Sequence, residues 1–332
     1  MSDTRPIVIS VPEPRSLELI FTPEDEAKLR RDYQVFEGQG PTVSKAVADH
    51  IAEASFIIGQ PELPRHILRQ AKKLKAILNV ESNFLDNMDY DYCFANGIHV
   101  LTTGRVFATP VAEIGLGMAL SLARGLVQDA FPNFKARKWG TESSVPLVDL
   151  YHKTIGLVGF GGIGTEIARR AHYGFEMKVL AVDPKPLPKP AFVAELREPG
   201  WLLEMASQVD VLVSCAPHTR ETVKLFNESV FNRMKPTAYF INVSRGGLVD
   251  QEALVKALKE KKIAGAGLDV TTPEPLPAEH PLWDCPNLII TPHNSGMAPM
   301  RQVRLIALVT ENVRRYSNGL ALLNVVDKAR GY

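Results

Sequence analysis

Residues 153–170 read KTIGLVGFGGIGTEIARR, and this stretch decides the fold. The apolar run at 155–158 predicts a buried strand, and apolar residues after the glycines recur at the spacing of a helix. Between them, Gly159, Gly161 and Gly164 form the pattern G-x-G-x-x-G. The first glycine allows a tight turn, the second lets the backbone approach phosphates, and the third lets the helix pack closely on the strand. The stretch therefore predicts a turn that holds a pyrophosphate at a helix N-terminus.

A second predicted strand supports this interpretation because it ends in an acid at the expected distance. Residues 178–183 read KVLAVD, and Asp183 follows the glycines by about 20 residues, where an NAD ribose diol needs an acceptor. A carboxylate there repels a 2′-phosphate, so NAD is favoured and NADP is less favoured, although Lys185 could offset part of the repulsion. The alternative is an ordinary strand-helix-strand unit whose glycines serve only turning and packing.

Length and composition limit the class of protein. With 332 residues the chain is about twice the usual domain length, so two domains are expected. Hydrophobic residues make up 45% and charged residues 23%, which is typical of globular proteins and not of disordered or membrane proteins. A net charge of +1 produces no field that would gather nucleic acid or anionic lipid, so neither partner is expected.

Cysteine usage and the N-terminal sequence favour a cytoplasmic protein. Cys93, Cys215 and Cys285 are far apart and odd in number, so neither a disulfide framework nor a metal site is predicted. We expect three buried thiols. The N-terminus carries no apolar targeting segment, and no stretch approaches 18 uncharged apolar residues.

Alternating apolar runs and helical patterns predict an α/β protein. Short apolar runs before residue 102 indicate a small α/β domain with its own sheet. A long apolar helix is predicted from Pro110 to Ala123, and the segment 131–148 with Trp139 is either an excursion that covers another subunit or a surface loop. After the glycine-rich stretch, strands and helices alternate, which implies a parallel sheet with helices on both faces. The further strands predicted here are 210–215, 238–243, 263–269 and 287–291.

Three ionisable residues follow neighbouring predicted strands, at the edge where such sheets bind ligands. Arg245 follows 238–243, Glu274 follows 263–269, and His293 follows 287–291. Each could be an ordinary surface residue, and only their joint placement indicates a site. An imidazole exchanges a proton near neutral pH, a neighbouring carboxylate stabilises the imidazolium and orients the ring, and a guanidinium binds a carboxylate through paired hydrogen bonds.

The sequence at these positions resembles the D-isomer-specific 2-hydroxyacid dehydrogenases. Four separated motifs carry the resemblance in order, and they are more specific together than singly: residues 159–164 (GFGGIG), 234–250 (MKPTAYFINVSRGGLVD), 267–276 (GLDVTTPEPL) and 291–293 (TPH). The resemblance is strong over residues 105–297. It implies that Arg245, Glu274 and His293 are the catalytic set.

The resemblance also implies the domain arrangement and the cofactor contacts. We expect a Rossmann-type, doubly wound, NAD-binding domain at 105–297 and a smaller, flavodoxin-like substrate-binding domain split between 1–104 and 298–332. A homodimer joined through the nucleotide domain is usual in the family. The predicted cofactor-binding residues are Gly159, Gly161, Gly162, Ile163, Gly164, Asp183, Ala216, Pro217, Val243, Ser244, Asp269, Ser295 and Gly296.

The N-terminal third departs from the family pattern. The family usually has a glycine-bearing loop that holds the substrate carboxylate, whereas this chain has the segment 79–89, NVESNFLDNMD. Backbone N–H groups of Ser82 and Asn83 are predicted to take that role beside Arg245. Glu81 and the larger side chains change the shape and field of the pocket, so the identity of the acid stays open.

Two classes of function are consistent with these residues. The favoured hypothesis is an NADH-dependent reductase of small 2-oxo acids, of the glyoxylate or hydroxypyruvate kind. The alternative is an NAD-sensing protein of the corepressor type, which kept the fold as a binding module. Among enzymes, Glu274 disfavours a formate-type dehydrogenase, whereas the three ionisable residues alone leave a phosphite-type dehydrogenase open.

Overall fold

A computed structural model describes residues 3–13, 15–40, 42–80, 87–140 and 142–326. The chain divides into two units, one comprising 1–106 with 298–332 and the other 107–297. Each unit has its own sheet, and in each sheet all strands are parallel. The predicted α/β class is therefore confirmed.

The first unit contains a five-stranded sheet in the order β2-β1-β3-β4-β5, which is the flavodoxin-like order. A buried cluster that includes Ile9, Ile57 and Ile77 fills its core. Thr22 caps one of the helices, since its hydroxyl accepts the Asp25 N–H at 3.1 Å. The strands are β1 (Ile7–Val11), β2 (Gln34–Glu37), β3 (Ala54–Gly59), β4 (Ala76–Leu78) and β5 (His99–Leu101). The helices are α1 (Leu17–Ile20), α2 (Pro23–Asp32), α3 (Lys45–His50), α4 (Arg65–Leu68) and α5 (Tyr90–Ala95).

The second unit contains a seven-stranded sheet in the order β12-β11-β10-β9-β6-β7-β8. All strands point the same way, but later strands are added first on one side of β6 and then on the other, as in doubly wound dinucleotide-binding folds. Two buried clusters cover its faces, one around Phe240 and one around Ile241. Neighbouring residues of β10 therefore point to opposite cores. The strands are β6 (Thr154–Val158), β7 (Lys178–Val182), β8 (Glu195–Arg197), β9 (Val211–Ser214), β10 (Tyr239–Asn242), β11 (Gly265–Leu268) and β12 (Leu288–Ile290).

The remaining helices lie between these strands or, for the last one, after β12. They are α6 (Gly104–Ala123), α7 (Phe131–Lys135), α8 (Gly162–Phe175), α9 (Leu202–Gln208), α10 (Glu228–Phe231), α11 (Gln251–Lys259) and α12 (Pro299–Ser317). Asp250 caps α11 as predicted, since its carboxylate accepts the Ala253 N–H at 3.3 Å. The last described residues return to the first unit, where the Val326 N–H donates to the Val100 carbonyl at 2.8 Å.

Helix α6 corrects one expectation. It begins at Gly104, so Pro110 lies inside the helix and not at its start. Proline favours the first helical turn in isolation, but the apolar sequence on both sides of Pro110 lets burial outweigh its missing N–H. By length and composition α6 could cross a membrane, but 61% of its most apolar 18-residue window is buried in the protein. The helix is therefore weak evidence for a membrane span.

Candidate active site

The three candidate catalytic residues follow three neighbouring strands. Arg245 lies beyond β10, Glu274 beyond β11 and His293 beyond β12, and these strands are adjacent in the parallel sheet. Their carboxyl ends share one edge, so the three loops emerge side by side. The structure thus pairs Glu274 with His293 and places the Arg245 loop beside the Glu274 loop.

The glycine-rich turn lies at the same edge, after β6, and each of its three glycines has a distinct local requirement. Gly159 has φ +95°, and a Cβ there would meet the Ala216 backbone N at 2.8 Å. A Cβ on Gly164 would lie 2.3 Å from the Gly159 carbonyl oxygen, so only glycine lets α8 start this close to the strand. A Cβ on Gly161 would meet nothing within 4 Å. The space over Gly161, at the N-terminus of a 14-residue helix, therefore fits a dinucleotide's phosphates.

Asp183 lies beside this turn at the end of β7 and is nearly buried. Its Oδ2 accepts the Phe160 N–H at 2.7 Å, and its Oδ1 accepts the Lys185 N–H at 2.8 Å. The carboxylate therefore fixes the turn through one of its oxygens and the backbone after β7 through the other. On the adjacent strand, the Arg197 guanidinium forms an ion pair with Glu195 and lies 4.2 Å from the centre of the Trp201 ring.

The loop that carries Arg245 is held by buried polar groups. The Asn242 side chain donates to the Arg245 carbonyl at 3.0 Å and accepts the Ser244 hydroxyl at 2.8 Å, while the Ser214 and Ser244 hydroxyls lie 2.7 Å apart. A Cβ on Gly246 would lie 1.9 Å from the Thr271 carbonyl oxygen, so the loops after β10 and β11 touch at this glycine. The Arg245 guanidinium is exposed and donates to the Ser244 carbonyl at 2.7 Å.

Glu274 and His293 form a direct pair. His293 Nδ1 lies 2.8 Å from Glu274 Oε2, with 47% and 38% of the two side chains exposed. The Thr271 N–H donates to Glu274 Oε1 at 3.0 Å and holds the carboxylate in place. Because Nδ1 faces the carboxylate, the second ring nitrogen, Nε2, is the one that can exchange a proton with a ligand.

Asp269 organises the His293 loop. This carboxylate is 1% exposed, and its Oδ1 accepts the Thr291 hydroxyl at 2.7 Å, the Asn294 N–H at 3.1 Å and the Ser295 N–H at 3.3 Å. The His293 N–H donates to the Asp269 carbonyl at 2.9 Å. The loop is thus anchored on both sides of the histidine, whose own φ of 49° is uncommon for a residue with a side chain.

The other predicted cofactor positions lie in the same unit, around these loops. Ala216, Val243, Ser244 and Ser295 are buried, whereas Gly162, Ile163 and Pro217 are partly buried. A Cβ on Gly296 would meet the Phe107 ring at 3.0 Å. Ser82 and Asn83, the predicted substrate contacts beside Arg245, lie outside the described residues. Sequence reasoning missed Asn242 and Ser214 as supports of the Arg245 loop, because nothing in their spacing distinguishes them from strand residues.

Two of the three cysteines differ from expectation in burial, and burial raises the pKa of all three thiols. Cys93 is buried, whereas Cys215 and Cys285 are only partly buried. Burial, helped by the nearby Asp89 charge, raises the pKa of Cys93 to about 12. Burial also raises the pKa of the Cys215 thiol, which lies at the end of β9, and of the Cys285 thiol. All three are thus thiols at neutral pH.

Comparisons with known proteins agree with this geometry. Residues 116–295 match the family described as "D-isomer specific 2-hydroxyacid dehydrogenase, NAD binding domain". Glyoxylate/hydroxypyruvate reductase B of Yersinia enterocolitica is 32% identical over 88% of this chain and 90% of its own. The structure of a phosphoglycerate oxidoreductase from Rhizobium etli superposes with a TM-score of 0.82 at 35% identity, covering 98% of this chain and 99% of its own.

A further solved structure bears on the cofactor. The NADPH-dependent glyoxylate/hydroxypyruvate reductase of Sinorhizobium meliloti is 28% identical, with a TM-score of 0.72 over 97% of each chain. The name of this one relative thus specifies NADPH as its coenzyme. The matched family, the identity over most of the chain and the two-sheet fold lead to one conclusion: the chain belongs to the D-isomer-specific 2-hydroxyacid dehydrogenase family and is an oxidoreductase with a nicotinamide-dinucleotide-binding domain.

Proposed function

We propose that the chain is an NADH-dependent reductase of small 2-oxo acids of the glyoxylate or hydroxypyruvate kind. The reaction converts a 2-oxo acid, NADH and a proton into a D-2-hydroxy acid and NAD⁺. When bound, the nicotinamide supplies the hydride that reaches C2. The observation that carries the proposal is the 2.8 Å pair between His293 and Glu274. The pair joins the loops after β12 and β11, and the β11 loop lies next to the loop that presents the exposed Arg245.

His293 is the acid and base in this proposal. Its Nε2 donates a proton to the substrate's carbonyl oxygen during reduction and takes it back during oxidation. Glu274 stabilises the protonated ring through Nδ1 and prevents it from rotating. The Thr271 N–H in turn fixes the carboxylate, so the pair keeps one orientation through the reaction.

Arg245 binds the substrate carboxylate in this proposal. A planar guanidinium forms paired hydrogen bonds with a carboxylate and polarises the adjacent carbonyl. The network around Asn242 holds the backbone from which the guanidinium extends. Substrate binding by residues 1–104 and 298–332, with the N–H groups of Ser82 and Asn83, is part of the same proposal.

A spectrophotometric screen tests the activity. NADH oxidation is followed with glyoxylate, hydroxypyruvate, pyruvate and longer 2-oxo acids. We expect His293→Ala to lower kcat by about 10²- to 10⁴-fold, and Arg245→Lys to raise KM for the acid with less effect on NADH binding. His152→Asn is the matched control, since this exposed histidine lies before β6, at the opposite edge of the sheet. Tight NADH binding without turnover of any acid would support the NAD-sensing alternative instead.

NAD is preferred over NADP in this proposal. The Asp183 carboxylate repels a 2′-phosphate, and the nearby Arg197 is already engaged by Glu195 and the Trp201 ring. We expect NADH to give the higher kcat/KM and Asp183→Ala to narrow that preference. A wild-type enzyme that prefers NADPH, as the S. meliloti relative's name indicates for that protein, would contradict this assignment.

We also propose a homodimer that uses the segment 131–148. Trp139 is 97% exposed and Phe134 is 82% exposed, which is unusual for large apolar side chains. Covering them in a second copy would remove that apolar surface from water. Sedimentation velocity should give a dimer at micromolar concentration, and Trp139→Ser should weaken it. A wild-type monomer would exclude this arrangement.

A further inference from the structure

His218 is an exposed histidine at the carboxyl edge of the second unit's sheet that the proposed chemistry does not use. It follows β9 in the sequence Cys215-Ala-Pro-His218. Among the residues that the structure describes, none forms a hydrogen bond or ion pair with its ring. The ring lies on the backbone of Gly247, where a Cβ would come within 2.6 Å of Nε2 and 3.1 Å of Cε1. This approach requires glycine at position 247.

The backbone on both sides of His218 is fixed by one hydroxyl. Thr222 Oγ1 accepts the Thr219 N–H and donates to the Pro217 carbonyl, each at 2.7 Å. Further along, the Lys224 N–H donates to the Gly247 carbonyl at 2.9 Å, which joins this turn to the Arg245 loop. The backbone that carries the imidazole is therefore held in place, while the ring itself is open to solvent.

The segment 215–218 connects the two halves of the cofactor site. At its start, the Ala216 backbone N lies 2.8 Å from where a Cβ of Gly159 would be, next to the phosphate-binding turn. At its end, the His218 ring contacts Gly247, two residues beyond Arg245. Strand β9 also lies between β6 and β10 in the sheet. A dinucleotide that reaches from the turn to the catalytic loops must therefore cross this segment with its nicotinamide half.

We propose that His218 binds the ribose of the nicotinamide half of the cofactor, by a hydrogen bond from the imidazole to a hydroxyl of that ribose, which ADP lacks. The inference rests on the proposed cofactor site and adds a binding residue to it. The adenosine half lies at the other end, by Asp183, so His218 does not contribute to its affinity. His218 also sets where the nicotinamide half lies relative to Arg245, because the loop after β9, which carries His218, is hydrogen-bonded to the loop after β10, which carries Arg245.

Binding titrations with two nucleotides test the assignment. Dissociation constants for NADH and for ADP are measured on the purified full-length protein by fluorescence or calorimetry. One hydrogen bond corresponds to a change in affinity of about 3- to 10-fold. His218→Leu should therefore raise the dissociation constant for NADH by that factor and change the dissociation constant for ADP by less than about twofold. His218→Gln, which keeps a donor, should recover part of the loss. Gly247→Ala, whose Cβ displaces the ring, should reproduce the His218→Leu result while residue 218 stays histidine.

The outcomes separate this inference from the proposed function. His152→Leu, at the opposite edge of the sheet, is the control and should change neither constant. Unchanged NADH affinity in both His218→Leu and Gly247→Ala would overturn the role of His218 and leave the proposed function standing. An equal loss of ADP and NADH affinity would also overturn it, because general damage to the loop affects both nucleotides. A wild-type protein that binds no NADH would overturn the proposed function itself.

Discussion

Replacing Asp269 by Asn should slow catalysis much more than it loosens the cofactor. The carboxylate is buried, and its Oδ1 holds three groups of the segment 291–295. A hydrogen bond to a charged acceptor contributes about 1.5–3 kcal/mol, against about 0.5–1.5 kcal/mol for a neutral one. Turning three charged-acceptor bonds into neutral ones, at about 1 kcal/mol each, costs about 3 kcal/mol in total. For a unit of this size the cost corresponds to a fall in Tm of about 6–12 °C.

The catalytic effect follows from the position of His293 within the anchored segment. A shift of about 1 Å in a proton-exchanging group lowers the rate by about 10²-fold. We therefore expect Asp269→Asn to lower kcat by about 10- to 100-fold, measured by NADH oxidation at saturating acid, with differential scanning fluorimetry for Tm.

A matched control uses an aspartate at the opposite edge of the same sheet. Asp210 accepts the Thr154 N–H and the Lys235 ammonium group, each at 2.8 Å, next to the start of β9. Asp210→Asn should lower Tm but keep kcat within about twofold. If Asp269→Asn retained wild-type kcat despite a lowered Tm, the anchoring role of this carboxylate would be refuted.

Two further predictions concern the glycine turn and the thiols. Gly161→Ala should fold with a Tm within about 2 °C of wild type yet bind NADH more weakly. Gly164→Ala should have a lower Tm, because its Cβ meets the Gly159 carbonyl oxygen. Equal Tm values for the two variants would contradict the packing argument. With a pKa of about 12, Cys93 should be alkylated by iodoacetamide at pH 8 about 10³-fold more slowly than a free cysteine, as peptide mass spectrometry can measure. The folded state holds the Cys93 thiol proton more tightly than the unfolded chain does, so the unfolded chain ionises first as pH rises. The free energy of unfolding should therefore fall between about pH 9 and about pH 12. Rapid labelling of Cys93 in the native protein would contradict the raised pKa.

Much of the fold could be predicted because the buried strands are recognisable in the sequence as apolar runs. The central strands β6, β9 and β10 follow this rule, and the parallel, doubly wound sheet follows from their alternation with helices. Strands β2 and β8 were missed. Both lie at sheet edges, are short, and mix charged with apolar residues (Gln34–Glu37 and Glu195–Arg197), so nothing in their local pattern separates them from loops.

For the site, the sequence placed Arg245, Glu274 and His293 at strand ends, and the structure confirms that their loops are adjacent. Their catalytic roles stay predictions. The anchoring by Asp269 could not be predicted, since its partners are 22 to 26 residues away and meet it only after β11 and β12 pair. The contact of His218 with Gly247 likewise depends on two loops that follow different strands.

The two bonds that Asp183 makes to the backbone have a consequence for attempts to re-engineer coenzyme preference. Removing the carboxylate to admit a 2′-phosphate also leaves the Phe160 and Lys185 N–H groups without their acceptor. The glycine-rich turn and the segment after β7 then each lose a hydrogen bond that holds the backbone. Two changes together fit this architecture. Asp183 is replaced by serine or asparagine, which still accept hydrogen bonds, and Arg197 is released from its ion pair with Glu195. In the proposed assignment, one carboxylate thus serves both coenzyme selectivity and the rigidity of the turn, so a single substitution there changes both.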